Sequence, residues 1–253
     1  MSKRQALLTT TNLEKTFGGV IAAHNINISL YTGEVVAVIG SNGAGKTTFV
    51  NMVTGYLKPS SGTISFKGQD ITGFDPRGTA RAGIRRSFQI SQIFPQLTVL
   101  ENVMIADIAA LEGKGGLRGK ALTAARMEVG LASLARFGLE KFADDDVETL
   151  PQGVKKQLDI AMAAVDDPEL ILLDEPTSGV SVDEKISMME SVIEPLKNEN
   201  SAVLFIEHDM DIVTRFADRT IAFYEGTILA DGPTSEVLVH DKVREYIIGG
   251  SHA

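Results

Sequence analysis

The sequence predicts an α/β protein built on a mostly parallel sheet, with a helical block inserted into it. Three observations carry this expectation. Short apolar, β-branched runs recur at Glu34-Val35-Val36-Ala37-Val38-Ile39, Leu170-Ile171-Leu172-Leu173 and Ala202-Val203-Leu204-Phe205-Ile206, without the polar alternation of a half-exposed strand. Helical text separates the last two, and strands alternating with helices imply a sheet covered on both faces. From about Val99 to Leu150 the character changes: Ala, Leu, Met, Glu and Arg dominate and the periodicity is helical.

In chain order, Leu7 to Ser29 reads as short strands joined by Gly18-Gly19 and by Asn25. Tyr31-Thr32-Gly33 is a turn before the first buried strand, and Ala44 to Val53 suits a helix. Gly62 to Gly68 reads as strand and turn. Within the helical block, Gly113-Lys114-Gly115-Gly116 links two helices, the second announced by Ala121 to Met127. Asp183 to Leu196 is a helix, Glu225 to Gly232 a final hairpin, and Glu236 to Ile248 a closing helix.

Composition narrows the function. The chain has 253 residues, 43% hydrophobic and 23% charged, enough for one large domain or two small ones. Zero cysteines exclude disulfides and cysteine-ligated metals and fit a cytoplasmic location. A net charge of −9 argues against gripping nucleic-acid phosphates. Met1-Ser2-Lys3-Arg4 precedes only Ala6-Leu7-Leu8, too short for a signal-peptide core, and no apolar run approaches the roughly 18–20 residues that span a bilayer.

The strongest motif is Gly40-Ser41-Asn42-Gly43-Ala44-Gly45-Lys46-Thr47-Thr48, a match to the phosphate-binding loop G-x-x-x-x-G-K-[ST]. Chance alone gives such a string in roughly one chain in a hundred of this length. Here it follows an apolar strand and opens a helix, the context its chemistry requires. Glycines let backbone N–H groups turn toward phosphates, and the helix presents its positive end to the same anion. Lys46 is expected to reach the β- and γ-phosphates and Thr47 to offer a hydroxyl to Mg²⁺. Leu170 to Glu175 delivers two acids at the end of a buried strand; Asp174 is expected on Mg²⁺ and Glu175 as the base for an attacking water. His208 follows the next apolar strand and is expected at the γ-phosphate. Gln89, in Phe88-Gln89-Ile90-Ser91, carries an amide suited to the metal or the water, although alone it could equally be structural. Gly113 to Lys120 is glycine-rich and basic, but its spacing misses the phosphate-loop pattern and it reads as a loop.

In this order the pieces resemble the nucleotide-binding subunit of an ATP-binding cassette (ABC) transporter, over essentially the whole chain. Gly40 to Thr48 corresponds to the Walker A loop, Gln89 to the Q-loop, Leu170 to Glu175 to the Walker B strand and His208 to the switch histidine. Phe17 falls where the family stacks an aromatic on adenine. The resemblance implies a P-loop NTPase fold, with the early strands forming an antiparallel β subdomain and the middle a helical subdomain. The implied division is a core over 1–90 and 167–253 with the helical subdomain at 91–166. Thr54 to Gly62, Ile71-Thr72-Gly73 and Ile93 to Val103 are similar to the ATPases of branched-chain amino-acid importers.

Two positions depart from the family pattern. The signature L-S-G-G-Q reads Leu150-Pro151-Gln152-Gly153-Val154; Pro151 offers neither hydroxyl nor N–H, whereas Gly153 and the helix start still donate. Ser181 stands where Asp or Asn is more usual. The resemblance further implies ATP and Mg²⁺ as cofactors, a head-to-tail dimer with a second ATPase chain (identical or different), integral membrane permease subunits, and indirectly a periplasmic substrate-binding protein. The chain would sit peripherally on the cytoplasmic face of the inner membrane. The competing expectation is a soluble, non-transport ABC ATPase of the iron–sulphur assembly type.

Overall fold

The computed structural model describes residues 5–87, 93–113, 123–198 and 200–249. Two sheets organise them. Strands β1 (Ala6–Phe17), β2 (Val20–Tyr31), β4 (Ser61–Phe66) and β5 (Gln69–Asp70) form an antiparallel sheet in the order β2-β1-β4-β5. The second sheet has the order β10-β9-β3-β8-β7-β6, from β3 (Val35–Gly40), β6 (Ile84–Ser87), β7 (Leu170–Asp174), β8 (Ala202–Ile206), β9 (Arg219–Tyr224) and β10 (Thr227–Pro233). Its strands pair in parallel except for the β9–β10 hairpin.

Every residue of β3, β7 and β8 is buried, because each strand feeds two cores. Val36, Val38, Leu172, Leu204 and Ile206 meet the antiparallel sheet and helix α1 (Lys46–Val53), with Phe49, Phe66 and Phe223 at the centre. The alternate residues Val35, Ala37, Ile39, Ile171, Leu173, Val203 and Phe205 meet the other core. There they pack with helices α3 (Val99–Gly113), α4 (Ala124–Arg136), α5 (Gln152–Ala163), α6 (Val182–Asn198) and α7 (Met210–Phe216). Each fully buried aliphatic or phenyl side chain contributes about 1.5–3 kcal/mol of transfer free energy. That explains why the strand text carries no polar alternation.

Helices α3 to α5 lie between β6 and β7 in the chain, and α2 (Pro76–Ala82) precedes β6. Asp75 caps α2 by accepting from Gly78 N at 2.7 Å, with Pro76 in the first helical position. Three sequence expectations need correction. Asn25 is not a joint between strands: it takes φ +52° inside β2, where a register shift against β1 lets Ala23 and Ile26 both face the core. The helix expected from Ala44 begins at Lys46, because Gly45 takes φ +101°. The closing helix is broken into α8 (Thr234–Val237), α9 (Asp241–Val243) and a π-turn at Arg244–Ile248. Val237 and Val243 are both buried in one core, yet on a continuous helix they would point about 120° apart. Of the expected link Gly113 to Gly116, Gly113 ends α3 and the rest lies outside the described residues.

Candidate functional site

The neighbouring strands β3, β8 and β7 end side by side, and the loops that follow them converge there, as ligand sites do in open parallel sheets. The loop 40–45 leaves β3 and turns into α1 through two glycines that no other residue could replace. Gly40 has φ +151°, and a Cβ there would lie 2.4 Å from Phe223 O. Gly45 has φ +101°, and its Cβ would lie 2.7 Å from Ala22 O. Ser41, Asn42 and Gly43 are exposed, Ala44 and Gly45 are buried, and Thr47 and Thr48 open α1 with exposed and half-buried side chains.

Lys46 is 6% exposed and turned back into the loop. Its ammonium donates to Gly40 O at 2.7 Å and Ser41 O at 3.0 Å. Burial depresses its pKa, and the charges of Glu175 and Asp174 oppose that depression. A strongly hydrated cation is thus held ready, satisfied by two carbonyls and close to two carboxylates.

Asp174 ends β7, 7% exposed. Arg86 of β6 donates to its Oδ2 at 2.5 Å and, through its other terminal nitrogen, to Asn51 Oδ1 of α1 at 2.5 Å. The pair is buried, with 8% and 9% of the side chains exposed. Arg86 therefore fixes the Asp174 carboxylate relative to the helix that opens on the loop. Glu175 takes φ +48°, a conformation L-residues rarely adopt, with its N–H donating to Ile206 O at 3.1 Å. His208, past the end of β8, brings Nε2 to 3.2 Å from Glu175 Oε1. Between them in sequence, Glu207 is 4% exposed and accepts from Thr177 and from the His208 backbone. His208 also lines, with Gly40, Ser41, Asn42, Met210 and Tyr246, an open cavity of about 330 Å³ beside the loop.

The structure thus brings Lys46, Asp174, Glu175 and His208 together. Phe17 lies at the tip of the β1–β2 hairpin, half-exposed, with Lys15 Nζ 5.1 Å from its ring centre. The hairpin is tied to the loop through the β9–β10 turn: His24 N–H donates to Gly226 O at 2.7 Å and Gly226 N–H donates to Ala44 O at 3.0 Å. Gly153 does not join them: it starts α5 within the helical block, lining a different cavity with Pro151, Phe142 and Glu184. Gln89 lies outside the described residues. Ser181 directly precedes α6, its hydroxyl donating to Glu184 Oε2 at 2.7 Å. Arg86, Asn51 and Glu207 carry no role in the sequence-based expectations; of the three only Glu207 has a local signal, a charge directly after the apolar run of β8, which burial obliges to find a partner.

The family model for ABC transporters matches residues 23–178. The chain belongs to the ABC transporter family. Among curated relatives, the high-affinity branched-chain amino acid transport ATP-binding protein LivG of Escherichia coli K12 is 36% identical, over 96% of this chain and 98% of LivG. BraF of Pseudomonas aeruginosa, named as a branched-chain amino acid transport ATP-binding protein, is 32% identical over 95% of this chain and 97% of its own. Among solved structures, the ADP conformation of MJ1267, an ATP-binding cassette of an ABC transporter, superposes with TM-score 0.85 at 31% identity, covering 96% and 98% of the two chains. CbiO1 of Clostridium perfringens, part of the ABC transporter complex CbiONQ, reaches 0.80 at 28% identity over 98% of each.

The fold is accordingly that of a P-loop NTPase, and the protein is an ATP-binding, ATP-hydrolysing subunit of an ABC importer. ATPase subunits of this family work with membrane permease components. No helix among the described residues is long and apolar enough to cross a membrane. Full-length relatives of the importer type do not favour the soluble iron–sulphur-assembly alternative.

Proposed function

We propose that this ABC ATPase drives import of branched-chain or related amino acids and that the residues gathered at the ends of β3, β7 and β8 carry out the hydrolysis. The observation that carries this reading is the buried Lys46 ammonium inside the loop, facing the Asp174–Glu175 pair with His208 at 3.2 Å from Glu175. The backbone of Ser41 to Thr48 cradles the phosphates, and Lys46 exchanges its carbonyl partners for β- and γ-phosphate oxygens. Phe17, exposed on the hairpin tip, stacks on adenine. Glu175 orients the attacking water and takes its proton as the water oxygen bonds to the γ-phosphorus and the bond to the ADP oxygen breaks. His208 holds the Glu175 carboxylate in place and donates toward the γ-phosphate.

Thr47, Asp174 and Gln89 are the residues for Mg²⁺. The donor set fits, since that ion prefers one carboxylate and a hydroxyl completed by phosphate oxygens and waters, rather than an all-protein cage. When bound, the ion neutralises charge developing on the phosphates.

The placement of Gly153 supports a two-chain site: it lines a different cavity from this chain's own loop, so its N–H is proposed to meet the nucleotide of a second ATPase subunit. The core at 1–90 and 167–253 then binds nucleotide, while 91–166 presents the signature. Permease subunits receive the motion, a periplasmic binding protein delivers the cargo, and the protein sits on the cytoplasmic face of the inner membrane. LivG and BraF, by their names, motivate the cargo. Mild detergent extraction of the tagged chain from its native membrane, followed by mass spectrometry, tests this. Two polytopic permeases and an amino-acid-binding protein are expected; a wholly soluble complex without them would overturn the importer assignment.

A further inference from the structure

We infer that Glu207 is a positioning residue for hydrolysis: its buried carboxylate ties the turn after Glu175 to the His208 backbone and so holds the Glu175–His208 pair in register. This rests on the roles proposed for Glu175 and His208 and adds to them. One carboxylate takes three donors. Thr177 N–H donates to Oε1 at 2.9 Å and the Thr177 hydroxyl to the same oxygen at 2.6 Å, while His208 N–H donates to Oε2 at 3.1 Å. Glu207 is 4% exposed and Thr177 2%, so water offers neither a substitute partner.

The need for such a clamp is visible in the backbone. Glu175 sits at φ +48°, a conformation that persists only where the surroundings over-determine it. Its own N–H bonds to Ile206 O at 3.1 Å, and two residues later the turn is pinned to Glu207, whose N–H approaches Val38 O at 3.4 Å. The strand that carries the phosphate loop, the strand that carries His208 and the turn that carries Glu175 therefore meet at one residue, the first through its backbone N–H and the turn through its carboxylate. The charge of Glu207 is also felt in the helical block. Lys156 of α5 is 2% exposed; burial depresses its pKa, and the carboxylates of Asp159, Asp174, Glu175 and Glu207 oppose that depression. A thermally stable but loosely held Glu175 would still bind ATP and lose the chemical step, which distinguishes positioning from scaffolding.

The test compares Glu207→Gln, Thr177→Val, Glu175→Gln and the Glu175→Gln/Glu207→Gln double variant. Steady-state phosphate release gives kcat and KM, and a fluorescent ATP analogue with Mg²⁺ gives affinity. In Glu207→Gln the amide keeps the volume but turns an N–H₂ toward a donor that formerly met oxygen. The expected result is a kcat about 10- to 100-fold lower with nucleotide affinity within about twofold of wild type. Thr177→Val, which removes one donor at nearly constant volume, is expected to lower kcat about 3- to 10-fold, and it carries the test if Glu207→Gln does not fold. In the Glu175→Gln background the second change is expected to alter the residual rate less than about twofold, since the group being positioned is already gone. Wild-type kcat in Glu207→Gln and Thr177→Val beside an inactive Glu175→Gln would overturn this inference alone. So would affinity falling in step with kcat and effects that add in the double variant. Wild-type turnover by Glu175→Gln would remove the underlying role of Glu175 and this inference with it.

Discussion

Lys46 and Arg86 show how single residues arrange charge at the site before any ligand arrives. Lys46 satisfies its buried ammonium with two carbonyls of its own loop, at 2.7 and 3.0 Å. Lys46→Ala removes the cation that phosphates would meet, and a nucleotide titration is expected to show affinity lost by at least tenfold, in keeping with charge-assisted bonds worth about 1.5–3 kcal/mol. Arg86 bridges Asp174 and Asn51, each at 2.5 Å. Arg86→Met leaves the Asp174 carboxylate buried without that partner, which costs about 3–5 kcal/mol and should appear as a lower urea midpoint for the ligand-free protein. Arg86→Lys should recover only part of this loss, because a point ammonium cannot reproduce the fork that reaches both oxygens. An unchanged midpoint for Arg86→Met would show that the pair contributes nothing net. Of these two residues the sequence reveals only Lys46, since its neighbours spell a loop whose chemistry is local. Arg86 acquires meaning from a strand 88 residues downstream, and no local pattern records that pairing.

At the level of elements, the strands are legible because burial on both faces forces an uninterrupted apolar, β-branched text, as in β3 and β8. Breaks set by packing are less legible. Asn25 carries the residue type of a turn, yet β2 continues through it, because Ala23 and Ile26 must both reach the core and a bulge absorbs the odd residue. The same logic breaks the C-terminal helix between Val237 and Val243. Helix α7 illustrates how an end is fixed. Asp209 caps it by accepting from Asp211 N at 3.1 Å and pairs with Lys185 of α6 at 2.8 Å. The hydrogen bond from Lys185 is the largest influence holding the Asp209 pKa below its ordinary 3.8, against an opposing effect of burial. A carboxyl whose folded pKa is depressed contributes stability above its unfolded pKa and loses it as pH falls through the folded value. Urea unfolding of Asp209→Asn between pH 6 and 3 (a window of roughly three units around that ordinary value) should therefore show a shallower acid loss of stability than wild type. Identical slopes would mean the pair does not bias folding.

Across the whole molecule, the phosphate loop and the signature segment belong to different cavities of one chain, the first beside His208 and the second beside Glu184. On the proposed two-chain reading, a site needing both would be completed by a second subunit, and closure would depend on contacts present only with the γ-phosphate in place. Glu175→Gln, incubated with ATP and Mg²⁺ together with its partner ATPase chain or alone, should hydrolyse ATP orders of magnitude more slowly and elute as a dimer; a monomer under both conditions would count against the sandwich. The proposed two-chain arrangement comes from the family resemblance; the altered Leu150 to Val154 signature gives no local reason for it. The most direct measurement is a crystal structure of the protein with a non-hydrolysable ATP analogue and Mg²⁺. The expected result is a triphosphate seated in the loop 40–48, with Lys46 moved from Gly40 O and Ser41 O onto the β- and γ-phosphates and Glu175 facing the terminal group. A saturated crystal in which Lys46 still holds those two carbonyls and the analogue lies elsewhere would contradict it.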